Sequence, residues 1–191
     1  MWNDRLAYDS YEIMEDNKFM LASPNRKHAY IMGNIYVRIY LYLEAKDDIA
    51  RVFTDHMDVH LPDGNLVMPD VFVICDKDAF RRGSTVYGVP DFVVEILSYS
   101  TKKIDRTLKK DLYEKNGVRE YWIVNPWEKS VAVYILRDGK FELDEEYHFC
   151  PEEEFNLLSD EDKAAIKTDI KLSIFEDLTI SVSKIFFRSE D

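Results

Sequence analysis

Apolar residues recur along this chain with two distinct periods, and the changes from one to the other mark out its elements. Across residues 28–46, HAYIMGNIYVRIYLYLEAK, Ile31, Ile35, Ile39 and Tyr42 fall at spacings of four and three, the stripe of a helix lying on a core. The segment is rich in β-branched and aromatic residues, but its length and lack of an internal proline favour the helix. Ser23, Pro24 and Asn25 supply its start signal. The following segment, RVFTDHMDVHL (51–61), has period two. Phe53, Asp55, Met57, Val59 and Leu61 share one side, and Thr54, His56, Asp58 and His60 the other, which predicts one half-buried strand.

PDGN (62–65) predicts a turn, Asp70 to Cys75 a second strand, RRGSTVYGVP a loop and Asp91 to Leu97 a third strand. Ser100 to Asn116 is a second helix, closed by Gly117 in the C′ position. REYWIVNP is a fourth strand, and SVAVYIL and FELDEEYHF, joined by RDGK, form a hairpin. The closing stretch DIKLSIFEDLTISVSKIFF reads as a short strand or turn and an amphipathic piece, and no element is assigned ahead of residue 28. Helix, three strands, helix, strand (α-β-β-β-α-β) describes an α/β chain with a mixed sheet flanked by helices and an additional hairpin.

Length and composition bound this picture. With 191 residues, 46% of them hydrophobic, the chain is expected to form a single domain, 1–191. No apolar run is long enough to cross a membrane, and the acidic start lacks a signal core, so a soluble cytoplasmic protein is expected. Cys75 and Cys150 suggest neither a disulfide framework nor a zinc cluster. The net charge of −12 argues against a nucleic-acid partner until its distribution is considered. Residues 141–162 form an acidic hairpin or insertion with ten acidic and no Lys or Arg side chains. Residues 101–111, TKKIDRTLKKD, carry five basic against two acidic.

Two carboxylates stand out against their surroundings. Asp70 lies in MPDVFVIC and Glu95 in DFVVEILS, apolar segments in which a charge without a partner costs roughly 3–5 kcal/mol. On its strand Glu95 shares a face with Val93 and Leu97. Neighbouring strands lie about 4.8 Å apart, so Asp70 and Glu95 can converge on one cation, and Mg²⁺ commonly takes one or two carboxylates plus substrate phosphate. Phosphodiester cleavage also needs a cationic group. On the helix from residue 100, Ile104, Leu108 and Leu112 are expected to form the core stripe, with Asp105, Lys109 and Tyr113 about 100° around at its border. Lys110 is expected to face solvent, which favours Lys109 as the inward lysine.

The residues from Pro69-Asp70 through Val94-Glu95-Ile96-Leu97-Ser98, Ser100-Thr101, Asp105, Lys109 and Tyr113 to Gly117-Val118 and Glu120-Tyr121-Trp122-Ile123-Val124 resemble the Uma-two (Uma2) family. This is a restriction-endonuclease-like group of the PD-(D/E)xK nuclease superfamily. Weaker similarity extends back through Tyr11-Glu12, Ser23-Pro24 and His28. The resemblance implies a restriction-endonuclease-like core and a Mg²⁺- or Mn²⁺-dependent endonuclease acting on DNA. Asp70 matches the motif Asp and Glu95 the motif acid, and the Ile96 backbone carbonyl adds a metal ligand by analogy. Leu97 stands where the superfamily usually has Lys, and Lys109 matches the position from which this group supplies it.

On this reading Asp70 and Glu95 hold the ion, Lys109 orients or helps deprotonate the water or neutralises the phosphate, and Asp105 holds Lys109. Tyr113, His28, Glu12 and Asp58 are accessory candidates. Each also has a structural reading. Asp70 would be a turn residue, Glu95 would pair with Lys109 without metal, and Lys109 would be a solvated helix lysine. Glu12 reads first as a surface carboxylate and His28 as a capping or surface residue. His56, Asp58 and His60 read as a polar sheet face, with Asp58 able to approach Asp70 across a hairpin. The alternative function is a non-catalytic nucleic-acid-binding or regulatory module that keeps the nuclease fold. A homodimer is compatible with either.

Overall fold

The structure, a computed structural model, describes residues 10–21, 24–54, 57–80 and 85–189. In chain order its elements are β1 (Tyr11–Met14), β2 (Asn17–Met20), α1 (Arg26–Lys46), β3 (Arg51–Thr54), β4 (Val59–His60), β5 (Leu66–Val67) and β6 (Val71–Ile74). After a 3-10 turn (Lys77–Phe80) come β7 (Val86–Tyr87) and β8 (Phe92–Ile96). One helical run follows in three parts, α2 (Lys102–Ile104), a π-helical turn (Asp105–Lys109) and α3 (Lys110–Asn116). The chain continues through β9 (Glu120–Asn125), β10 (Ser130–Arg137), β11 (Lys140–His148), α4 (Glu152–Leu157), α5 (Asp160–Ala165), β12 (Asp169–Lys171), β13 (Thr179–Ser181) and α6 (Val182–Ile185).

Six strands form the central sheet in the order β11-β10-β9-β8-β6-β3. The pairs are antiparallel except β8 with β9, which run parallel because α2 to α3 carries the chain back between them. The expected α-β-β-β-α-β order is therefore the order of α1, β3, β6, β8, the second helix and β9. A smaller sheet, β2-β1-β5-β4-β7, adds what the pattern did not predict. RVFTDHMDVHL is not one strand: β3 belongs to the large sheet and β4 to the small one. Residues 55 and 56 lie outside the described residues, as do Ser23 and residues 81–84 of the expected loop. An uninterrupted period of two cannot show that a strand changes sheets, because both sheets bury one face.

The alternation on β8 separates two cores. Phe92, Val94 and Ile96 join α1, through Ile31, Ile35, Ile39 and Leu43, and the C-terminal hairpin and α6, through Ile170, Ile180 and Ile185. Val93 and Leu97 join Leu112 and Tyr113 of α3 and Met14, Val59 and Val67 of the small sheet. The α1 stripe ends on Leu43, with Tyr42 only half-buried. Asn25 caps α1 by accepting a hydrogen bond from the His28 amide at 2.9 Å, a contribution of about 1 kcal/mol. Gly117, at φ 87°, ends α3 in the left-handed conformation that glycine adopts without steric cost.

Glu120, fully buried on β9, ties on the C-terminal hairpin: it accepts from Trp122 Nε1 and from the Ser173 amide and hydroxyl, each at 2.6 Å. The acidic stretch 141–162 runs along edge strand β11 and into α4 and the start of α5, where its charges deter pairing with another sheet. Cys75 and Cys150 are free thiols. No helix among the described residues is long and apolar enough to cross a membrane.

Because Ile35 sits at the centre of the α1 stripe with no exposure, Ile35→Ala should lower unfolding free energy by about 2–5 kcal/mol. Urea denaturation reads the change directly, and a loss below 1 kcal/mol would contradict this packing.

Candidate active site

Asp70 and Glu95 meet because of strand register. β6 and β8 pair with Val71 opposite Val94 and Phe72 opposite Val93, and one further step places Asp70 opposite Glu95. Asp70 Oδ2 accepts the Ile96 amide at 2.6 Å, so the strand backbone itself holds the carboxylate. His28, in the first turn of α1, brings Nε2 to 3.1 Å from the same oxygen. The Asp70 side chain keeps 14% exposure whereas Glu95 is only 3% exposed, which makes Asp70 the more accessible of the two.

The opposing wall comes from the helical run, which is turned relative to expectation. Ile104 and Leu108, predicted to be innermost, are only half-buried, while Asp105, Lys109 and Tyr113 are exposed by 1%, 3% and 0%. A π turn lies within this run. Its wider loop, from Asp105 to Lys109, shifts the facing of the residues it contains away from the 100° step of a regular helix. The Tyr121 hydroxyl donates to the Asp105 carbonyl at 2.9 Å and ties this turn to β9. Lys110 points away, its Nζ 4.0 Å from the Tyr134 ring centroid.

Lys109 is the centre of the cluster. Its Nζ lies 2.9 Å from Glu95 Oε1, 2.9 Å from Glu12 Oε1 and 3.8 Å from Asp105 Oδ1. Glu95 Oε1 also accepts the Tyr113 hydroxyl at 2.7 Å, and Glu12 Oε1 the Met68 amide at 2.9 Å. Glu12 is 2% exposed on β1, so it is no surface carboxylate, and Lys109 is no solvated lysine. His28 is likewise buried rather than at the surface. A period-two pattern is faintly present in Tyr11-Glu12-Ile13-Met14, where Glu12 shares the buried face with Met14. Nothing in so short a stretch identified its partner. Tyr121 was also missed as a site-supporting residue, since its hydroxyl acts on a backbone atom.

Charge in this site is unbalanced. Burial by itself would lower the Lys109 pKa, but Glu95, Glu12, Asp105 and Asp70 together hold it well above the ordinary value, so the ammonium stays charged. Burial pushes Glu95 well up, an effect that Lys109 opposes and Asp105, Asp70 and Glu12 reinforce. Burial likewise raises Asp105 to about 6, against the opposing pull of the Lys109 charge and the Thr101 hydroxyl. Tyr113 is also pushed well up, first by burial and then by Glu95.

Four carboxylates around one lysine suit a hard divalent cation. Asp70 and Glu95 each direct their hydrogen bonds to a single oxygen, leaving the other without a partner among the described residues. Among those residues no three or more His, Cys, Asp and Glu side chains form a metal cage. Mg²⁺ does not require one, since it retains waters and takes one or two carboxylates with substrate oxygens. Asp58 does not join the cluster: its carbonyl accepts the Val86 amide at 2.9 Å, and its side chain makes no contact with the site among the described residues. His56 lies outside them, and His60 stacks on Tyr87 instead, centroids 4.6 Å apart.

A family model described as "Uma2: Putative restriction endonuclease" matches residues 5–161. An uncharacterized protein of Synechocystis sp. is 24% identical over 139 residues, covering 72% of this chain and 71% of that one. A crystal structure of a "putative nuclease belonging to DUF820" from Anabaena variabilis superposes with a TM-score of 0.64 at 18% identity, over 93% of this chain and 90% of the other. That likeness establishes a restriction-endonuclease-like α/β fold.

The raised Asp105 pKa has a defined sign. The native state holds this proton more tightly than the unfolded chain, so the stabilisation is complete below the ordinary value of 3.8 and is lost as pH rises through about 6. The loss amounts to about 3 kcal/mol. In EDTA, Asp105→Asn should therefore gain stability relative to wild type between pH 5 and pH 8 by urea unfolding. Parallel pH curves for the two proteins would contradict the assignment.

Proposed function

We propose that this chain, which belongs to the Uma2 family of restriction-endonuclease-like proteins, is a divalent-metal-dependent endonuclease that hydrolyses phosphodiester bonds in DNA. The observation that carries this reading is the convergence of Glu12, Glu95 and Asp105 on buried Lys109, with Asp70 opposite Glu95 at the more accessible end. Asp70 and Glu95, with the Ile96 carbonyl, would hold Mg²⁺ or Mn²⁺. The ion, when bound, lowers the pKa of a water and stabilises charge on the phosphoryl oxygens.

The protein groups have separable tasks. Lys109 has three N–H donors, of which Glu95 and Glu12 take two, leaving one for the attacking water or the scissile phosphate. Because the carboxylates keep it protonated, Lys109 acts as a donor and a local positive charge and not as a base. Tyr113 and the Ile96 amide fix Glu95 and Asp70. Glu12 and Asp105 hold Lys109 over the carboxylates, and His28 orients Asp70.

A second reading, a nucleic-acid-binding module without turnover, draws on one observation: Lys109 already pairs with Glu95 and Glu12 as a salt-bridge network does.

Cleavage of supercoiled and single-stranded DNA with Mg²⁺, Mn²⁺ or EDTA separates the two. Asp70→Asn, Glu95→Gln and Lys109→Ala should each slow wild-type cutting by roughly 100-fold or more. A wild type that never cuts, or three variants that cut as it does, would end the catalytic reading. Independently of turnover, Mg²⁺ at about 100 times its Kd should stabilise wild type by about 2.7 kcal/mol. Thermal melts of Glu95→Gln should show most of that gain missing.

A further inference from the structure

The chain leaving the C-terminal end of β8, the strand that carries Glu95, continues into an exposed surface of aromatic rings and cations. Tyr99, four residues past Glu95, is 78% exposed, and its ring lies against that of Trp127, 41% exposed, with centroids 4.5 Å apart. Trp127 arrives there because β9 runs parallel to β8 with Val124 opposite Ile96, so both chains leave the sheet at the same end. Four residues span at most about 14 Å, which bounds the distance from Glu95 to Tyr99 along the backbone. Lys102 Nζ stands 5.7 Å from the Tyr99 ring centroid.

Lys129, two residues beyond Trp127 in the chain, lines a cleft of about 760 Å³. Phe149 lines it too, with the Lys129 Nζ 5.2 Å from its ring centroid. Lys184 and Arg188 also line it, each placed over the Phe187 ring, at 5.8 and 5.4 Å, and Phe187 is 51% exposed. Among the described residues lining it are Lys129, Lys184 and Arg188 and one acid, Glu152. In a chain of net charge −12 this is a local reversal of sign.

Exposed ring faces beside ammonium and guanidinium groups are the means by which proteins hold single strands: bases stack on the rings and cations neutralise the backbone. A duplex stacks its bases on one another and offers no free faces to Tyr99, Trp127 or Phe187. We propose that this surface is a track for single-stranded DNA, running from the catalytic cluster over the Tyr99–Trp127 pair into the cleft between Lys129 and Arg188. The implied substrate class, DNA with a single-stranded segment, rests on the nuclease reading above; the binding itself does not.

Fluorescence anisotropy of labelled oligothymidylate with the full-length chain in EDTA tests the track without turnover. Tyr99→Ala and Trp127→Ala should each weaken binding by roughly tenfold, Trp127→Phe should retain it, and the exposed control Leu41→Ala should not change it. Lys184→Ala combined with Arg188→Ala should reduce the slope of log affinity against log salt by roughly 1.4. Thermal melts establish that each variant is folded. The track is overturned if wild type fails to bind, if the aromatic variants bind as wild type does, or if duplex of equal length or polyglutamate competes as well as unlabelled oligothymidylate. Mg²⁺-dependent cutting of plasmid by a wild type that does not bind oligothymidylate would sink the track and leave the nuclease reading standing. Specific binding without any cutting would do the reverse.

Discussion

A protonated lysine kept from water by three carboxylates is the interaction on which the rest of this site depends. An isolated ammonium at the position of Lys109 would be driven to neutrality by desolvation. Here Glu12, Glu95 and Asp105 reverse that tendency, and each comes from a different element: a hairpin strand of the small sheet, a central strand of the large sheet and a π turn. The charge therefore joins three parts of the fold, and none of them can move without exposing an unpaired carboxylate or the lysine itself. The formal excess of negative charge that remains is what a bound cation would offset.

The scaffold meets this demand through backbone geometry more than through side-chain contacts. Antiparallel register between β6 and β8 brings Asp70 level with Glu95, and the parallel step from β8 to β9 sends the chain through the helical run that delivers Lys109. The π turn then faces Asp105 and Lys109 inward, at the expense of Ile104 and Leu108, which a regular helix would have buried. A local departure from the cheapest helical geometry is found where function needs it. The same parallel step gathers the ends of β8 and β9 at one edge, where Tyr99 and Trp127 meet outside the sheet. The buried cluster and the aromatic surface beyond it are consequently products of one topological choice.

Net charge is a poor guide to such a molecule. Ten of the acidic residues lie in the stretch 141–162, along edge strand β11 and the short helices after it, where they discourage sheet extension. The cations concentrate elsewhere, on the second helix and around the cleft beside α6. Potential at a surface follows nearby charges over roughly 10 Å in salt, so an acidic chain can present a basic face.

Short-range pattern determined a good part of the structure. The stripe of Ile31, Ile35 and Ile39, the alternation about Glu95 and the glycine after Asn116 are local signals, and local sterics and solvation suffice to act on them. Asp70 and Glu95 were also legible, because a charge inside an apolar period is conspicuous whatever lies opposite, whereas Lys109 stood out by its place beside the apolar stripe of its helix and by the family resemblance. Glu12 and His28 were not singled out in the same way, since their neighbours give no sign of a buried partner far along the chain. The division of residues 51–61 between two sheets was hidden too, and so was the rotation of the helix at its π turn. Only the tertiary structure decided these, because the cost of burying a charge, and the register that cancels it, depend on groups brought together from elements distant in sequence.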